Sequence, residues 1–235
     1  MLGQSGYDPS REEDLLGAIL GRRPDGIVLT GVMHLPEARR RLLASGIPVV
    51  ETWDLTPTPI DRLVGFSHEA VAQAVCAHLH AKGRRRLAVI AASRRALAPL
   101  NPDFLAAALQ RGLSAPPVHE VAAPTTLGDG RTGLRALLAG RPDIDAVFCS
   151  SDLMALGVLT EAGAMGIAVP QALAVIGFGD LDFARDTHPA LSTVRIDGSR
   201  IGSEAARCIV EQAQGREVVQ RVIDIGFSII ERASA

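Results

Sequence analysis

Asp145-Ala-Val-Phe-Cys-Ser-Ser-Asp152, followed by a helical run and then by Ala174-Val-Ile-Gly-Phe-Gly-Asp180, is the stretch that decides the fold. Each of its two apolar runs ends abruptly in polar or glycine residues, and a helical pattern lies between them. This order predicts one βαβ unit. Because ligands of open parallel sheets bind outside the carboxyl ends of the strands, Ser150 to Asp152 and Gly179 to Asp182 indicate a small-molecule site.

Outward from this unit, predicted strands and helices alternate along nearly the whole chain, which is typical of parallel sheets flanked by helices. The segment Thr52 to Asp61 holds Pro57 and Pro59 and is expected to lack regular structure. Residues 218–225 and 227–231 are expected to form antiparallel closing strands. The predicted fold class is α/β, with two doubly wound parallel-sheet subdomains.

Composition narrows the function classes. The chain has 235 residues, and its formal net charge of −2 gives no basic footprint for nucleic acid or for an anionic membrane. The sequence has no signal peptide and no membrane span, so we expect a cytoplasmic protein. Three scattered cysteines are expected to be reduced thiols without zinc spacing, and we expect no cofactor and no metal. An acidic loop around His188 leaves a metal site open as a minor alternative.

Several ordered segments together resemble the effector-binding core of the LacI/GalR family of bacterial repressors. They are Gly65 to Glu69, Gly83 to Ile90, Ser151 to Gly157, Val175 to Asp180 and Pro189 to Val194. The resemblance covers essentially the whole chain and implies a fold of the periplasmic-binding-protein type I kind. Within the family, Gly31 to His34 and Pro48 to Ile60 are most similar to repressors of gluconate-utilisation operons.

The resemblance implies an N-terminal subdomain of residues 1–65 plus 195–217 and a C-terminal subdomain of residues 66–194 plus 218–235. The chain would cross between them near residues 64–66, 194–195 and 215–218, and the effector would bind in the cleft. The family's helix-turn-helix and hinge helix are absent from this sequence, and the N-terminal subdomain is expected to be incomplete. A homodimer is implied, with operator DNA bound only through the missing helix-turn-helix.

Four candidate ligand-binding residues lie in the βαβ unit. Ser151 matches a family position that often carries an effector-binding Asn or Ser, and Asp152 follows it, with helix N-capping as its alternative role. Gly179 stands where many family members have a ligand-binding Asp, and Asp180 is next. Removing a carboxylate there would suit an acidic ligand, because it removes like-charge repulsion.

Three further candidates lie before or at the first crossover. Trp53 and Asp54 follow a predicted strand at a place where the family has an effector contact, and Phe66 matches a family cleft residue. Core or hinge packing is the alternative for both aromatic side chains.

Arginines are candidates for binding a carboxylate, because the family's usual arginine ahead of Phe104 is absent here. Arg94 and Arg95, at the end of a predicted strand, are candidate replacements, with a solvated surface role as the alternative. Arg195, at the second crossover, and Arg185 are further candidates.

The predicted function is that of an effector-binding domain of a LacI-type transcriptional repressor. It would bind a sugar acid or polyol resembling gluconate and control DNA binding allosterically, without catalysis. Two alternatives remain open, a stand-alone sugar-binding protein of the periplasmic type and an enzyme of doubly wound fold. An export signal in the upstream reading frame would favour the first, and turnover of a sugar phosphate or ester would favour the second.

Overall fold

The computed structural model describes residues 1–4, 9–93, 100–216 and 220–235. The helices are α1 Pro9–Leu20, α2 Pro36–Ser45, α3 His68–Ala81, α4 Leu100–Gln110, α5 Leu127–Gly140, α6 Asp152–Ala164 and α7 Gly198–Ala213, with a short 3-10 helix at Asp182–Arg185. The strands are β1 Ile27–Thr30, β2 Val49–Thr52, β3 Arg62–Gly65, β4 Leu87–Ser93, β5 Val118–Ala122, β6 Ala146–Cys149, β7 Ala174–Phe178, β8 Ser192–Arg195, β9 Val222–Asp224 and β10 Ser228–Ile230.

The described residues divide into two compact units, one within residues 1–67 and 197–226, the other within residues 68–196 and 227–235. The first unit contains a parallel sheet with the strand order β1-β2-β3-β9. Helices α1 and α2 cover Ile27 and Val49 through Leu16 and Leu42, and α7 contacts β2 and β3. Strand β1 lies at an edge of this sheet, where the side chain of Val28 is 52% exposed.

The second unit contains a sheet with the order β10-β8-β7-β6-β4-β5, parallel except for β10. Successive side chains of a strand point to opposite faces. Val147 and Cys149 pack with the core formed by α5 and α6, whereas the ring of Phe148 stacks on Phe104 of α4 at 5.4 Å between ring centroids. Helices therefore cover both faces, and the α/β doubly wound prediction is confirmed. The predicted βαβ unit is β6, α6 and β7.

Helices α5 and α6 approach each other closely because each presents a glycine at the contact. A Cβ added to Gly130 would lie 2.0 Å from the carbonyl oxygen of Met154, and one added to Gly157 would lie 2.1 Å from that of Leu127. Neither distance is sterically allowed, so the two backbones meet only where both residues lack a side chain. This contact fixes α6, whose first turn carries candidate site residues.

Two features differ from the sequence-based expectation. Strand β3 was not predicted, because its four residues directly follow the proline-containing segment. Strand β9 pairs parallel with β3 in the first sheet, whereas residues 218–225 were expected to join antiparallel strands of the C-terminal subdomain. The side chain of Arg221 stabilises this placement by donating hydrogen bonds to the carbonyls of Asp61 and Pro59. The chain accordingly enters the second unit for the last time near Gly226.

No helix among the described residues is long and apolar enough to cross a membrane.

Candidate functional site

Polar residues of the second unit gather at the carboxyl edge of three neighbouring strands, β6, β7 and β8. Ser150 and Ser151 follow β6, Gly179 and Asp180 follow β7, and Arg195 ends β8. The Ser150 hydroxyl oxygen accepts a hydrogen bond from the backbone N–H of Ala92, 3.1 Å away. Ser151 is the N-cap of α6, and its hydroxyl oxygen accepts from the N–H of Met154 at 3.3 Å. N-capping was the alternative role for Asp152. The N-cap of α6 is Ser151 instead.

Asp152 begins α6 and is completely buried. One of its carboxylate oxygens accepts a hydrogen bond from the hydroxyl of Thr193 at 2.5 Å, and the other accepts from the N–H of Leu181 at 2.7 Å. Burial raises the pKa of Asp152 above its ordinary value, and these hydrogen bonds offset that effect only in part. Asp152 thus joins α6 to β8 and to the loop that follows β7.

Gly177 and Gly179 leave room for this carboxylate and shape the loop after β7. A Cβ on Gly177 would lie 2.2 Å from Oδ1 of Asp152, so a larger residue would displace the carboxylate. Gly179 has a φ of 128°, a backbone conformation that L side chains rarely adopt. Its N–H donates to the carbonyl of Val194 at 2.8 Å, which fixes the loop against β8.

Asp180 pairs with two arginines. Arg195 Nε donates to one of its oxygens at 2.5 Å, and Arg232, just after β10, donates to the other at 2.7 Å. Burial opposes the negative charge of Asp180, but the hydrogen bonds and charges of Arg232 and Arg195 outweigh it and hold the pKa of Asp180 below its ordinary value. Two guanidinium groups and one carboxylate leave this cluster with one excess positive charge.

Arg195 is the exposed member of the cluster. Its side chain is 53% exposed, whereas that of Arg232 is 16% exposed and also donates to the carbonyl of Leu191. The bond from Nε to Asp180 fixes the orientation of the Arg195 guanidinium. Within the described part of the chain, its two terminal nitrogens have no hydrogen-bond partner, so this arginine can bind an anionic oxygen.

The candidates of the first unit lie together after β2 and β3. The rings of Trp53 and Phe66 meet edge to face, with 6.1 Å between centroids. Phe66 is completely buried, whereas Trp53 is 38% exposed. The backbone of Asp54 packs on Gly65 so closely that a Cβ there would lie 2.0 Å from its carbonyl oxygen. Trp53 is therefore the aromatic face that this group offers to the surface.

Sequence reasoning missed several residues of these groups. Thr193 and Arg232 lie 41 and 52 residues from the carboxylates that they contact, so no local spacing indicated them. His68, whose ring stacks near Phe178 at 6.2 Å, was not a candidate either. Arg94 and Arg95 lie outside the described residues. The described residues contain no group of three or more His, Cys, Asp or Glu that could hold a metal ion.

Comparisons with known proteins agree with this architecture. Residues 76–235 match the family described as a periplasmic binding protein-like domain. The HTH-type transcriptional regulator GntR of Pseudomonas aeruginosa is 36% identical over all of this chain and 69% of its own length.

Two solved structures are also similar over the whole chain. The transcription regulator GntR from Chromobacterium violaceum has a TM-score of 0.92 at 35% identity, with 87% of it covered. A LacI family transcriptional regulator from Silicibacter pomeroyi has a TM-score of 0.89 at 32% identity, with 86% covered. The relatives are named as regulators of transcription. The chain therefore belongs to the LacI/GalR family of transcriptional regulators and comprises the effector-binding core of that family.

Proposed function

We propose that this core senses a sugar acid of the gluconate type, and that the acid controls repression by the regulator. The observation that carries the proposal is Arg195, an exposed guanidinium held in place by Asp180 within a cluster of net positive charge. A ligand carboxylate would balance the excess charge and accept charge-assisted hydrogen bonds from the terminal nitrogens of Arg195.

The surroundings of Arg195 favour an acid over a neutral sugar. Gly179 adds no side-chain carboxylate to those of Asp152 and Asp180 at this edge. A neutral sugar offers no charge to pair with the terminal nitrogens of Arg195. Ser151 remains a proposed ligand contact, and the buried Asp152 is better suited to holding the loop after β7.

Trp53, Asp54 and Phe66 of the first unit remain proposed ligand contacts. The exposed ring of Trp53 suits the C–H side of a polyol chain. Arg94 and Arg95 remain proposed partners of the ligand.

Control of transcription would follow from linkage. A ligand shifts the balance between two conformations only by its difference in affinity for them, and that difference would be transmitted to DNA affinity in a homodimer that carries DNA-binding heads. The homodimer and its cytoplasmic location are parts of this proposal.

A thermal-shift screen of the purified chain tests the ligand class. Gluconate, other aldonic acids, glucose and galactose are compared at equal concentration. Binding to the folded state alone at about 100 times Kd raises Tm by roughly 5–10 °C. We expect a shift with aldonic acids, and a shift with neutral sugars alone would contradict the proposal.

A further inference from the structure

The first unit contains a group of three ionisable side chains, two of them buried, that the proposed function does not use. Glu12 lies on α1, His34 lies in the loop between β1 and α2, and Glu51 lies on β2. His34 Nδ1 is 2.7 Å from a carboxylate oxygen of Glu12, and Nε2 is 3.3 Å from one of Glu51. The side chain of His34 is 3% exposed and that of Glu51 is fully buried. The imidazole therefore connects two carboxylates from two different elements.

Both ring nitrogens of His34 face groups that only accept hydrogen bonds when ionised. A neutral imidazole has one N–H, so one nitrogen would then present a lone pair to a carboxylate oxygen. Within the described residues, Nε2 of His34 and Oε1 of Glu51 have no hydrogen-bond partner, although only 3.3 Å separates them. A proton on Nε2 would give each of the two atoms a partner. This geometry assigns protons to both nitrogens. Burial alone would lower the pKa of His34, but the hydrogen bonds and charges of Glu12 and Glu51 outweigh it and raise that pKa to about 9.

The second oxygen of Glu51 closes the loop of residues 53–59. It accepts a hydrogen bond of 2.6 Å from the N–H of Ile60, so the side chain that precedes the loop binds the backbone that follows it. Trp53, the first residue of the loop, has a φ of 72°, which is an unfavourable conformation for a bulky residue. Such a conformation persists only where the surrounding structure enforces it.

We propose that His34 is a positioning residue for this loop. Its imidazolium holds Glu51 in the orientation that binds Ile60 N–H, and the closed loop keeps Trp53 in its strained conformation. The charged groups that face the ring are Glu12 from α1 and Glu51 from β2. These contacts all lie within the first unit, and none of them depends on the identity of the ligand.

Trp53 itself reports on the loop, because it is the single tryptophan of the chain. Its fluorescence is measured in the wild type, in His34→Gln, in Glu12→Gln and in the control His188→Gln, which changes an exposed histidine of the second unit. We expect a red-shifted emission and faster quenching by acrylamide in His34→Gln, a smaller change of the same sign in Glu12→Gln, and none in the control. In the wild type the same change should develop with a midpoint near pH 9, and it should be absent in His34→Gln.

NMR measures the protonation state of the His34 ring directly. The ¹⁵N shifts of the His34 ring at pH 7.5 should be those of an imidazolium. A neutral ring at that pH, or a Trp53 emission in folded His34→Gln that equals the wild type, overturns the proposal. If circular dichroism shows that His34→Gln does not fold, the wild-type titration and Glu12→Gln decide, and a Trp53 emission that stays constant through pH 9 overturns it.

Discussion

Asp152 is a buried residue that holds together the strand ends at the candidate site. Its carboxylate accepts hydrogen bonds from the buried hydroxyl of Thr193 and from the N–H of Leu181, a residue that is half-exposed. Gly177 is needed directly beneath it. The residue therefore fixes the loop that carries Asp180, and Asp180 in turn orients Arg195.

Asp152→Ala is expected to lower the free energy of unfolding by roughly 2–4 kcal/mol. The buried hydroxyl of Thr193 loses its acceptor at about 1–3 kcal/mol, and the N–H of the half-exposed Leu181 loses a hydrogen bond that contributes about 1 kcal/mol. Asp152→Asn keeps an acceptor for Leu181 and should cost less than half as much. Urea titration followed by circular dichroism measures both variants. Equal losses would show that the hydrogen bonds of Asp152 do not stabilise the loop.

At this scale the sequence indicated several of the residues that lie together at this edge of the sheet, but not all of them. Polar residues after two apolar runs predicted where Ser151, Gly179 and Asp180 would lie, because strand ends of a parallel sheet share an edge. Arg232 escaped prediction, since its pairing with Asp180 depends on the antiparallel strand β10 beside β8. Glu51 could have been singled out from the sequence, because it directly follows the apolar residues Pro48-Val-Val50. A charged residue that is buried with such a strand needs a partner.

Among the elements, the contact of α5 with α6 depends most directly on small residues. Gly130→Ala places a methyl group 2.0 Å from the backbone of Met154, so the helices must move apart. We expect a loss of about 1–3 kcal/mol in unfolding free energy, as for overpacked cores. Gly140→Ala, on the same helix and with no atom within 4 Å of the added Cβ, is the matched control and should leave stability unchanged or slightly higher. Thermal or urea unfolding of the two variants checks this, and equal stability would contradict the close approach.

Elements with strong periodicity were predictable, and those defined by distant pairing were not. Helices α3 and α6 and strand β6 follow from apolar spacing, capping residues and glycine stops. Strand β3 has only four residues after a proline-containing segment. Strand β9 lies within residues 218–225, which were expected to form a strand, but its partner β3 was not predicted. Their pairing with one another fixes them as strands, and no local pattern records such a pairing.

On the scale of the whole molecule, His34 links stability to pH. Its pKa is about 9 in the folded state and near 6.5 in an unfolded chain, so the folded state binds the proton more tightly. The resulting stabilisation is complete below pH 6.5 and is lost as the pH rises through 9. It amounts to roughly 3 kcal/mol at about 1.4 kcal/mol per pKa unit. Urea unfolding between pH 6 and 10 should show this loss in the wild type and not in His34→Gln, and parallel profiles would contradict it.

The family of this chain could be inferred from its sequence, whereas its ligand is a proposal. The reason is that the two depend on different numbers of residues. Ordered motifs along the full length indicated the effector-binding core, and the comparisons confirm that assignment. Ligand choice depends on a few side chains at strand ends, and substitutions such as glycine at position 179 change the chemistry without changing the fold.

The most direct test of the central claim is calorimetric titration of gluconate and of glucose into the purified wild type, Arg195→Gln and Arg185→Gln. Arg185 is also an exposed arginine of the second unit, but it lies outside the Asp180 cluster and so serves as the control. We predict that the wild type and Arg185→Gln bind gluconate alike, and that Arg195→Gln binds it at least about tenfold more weakly, since a hydrogen bond to a charged group contributes roughly 1.5–3 kcal/mol. Binding of glucose in preference to gluconate, or unchanged gluconate affinity in Arg195→Gln, would contradict the account.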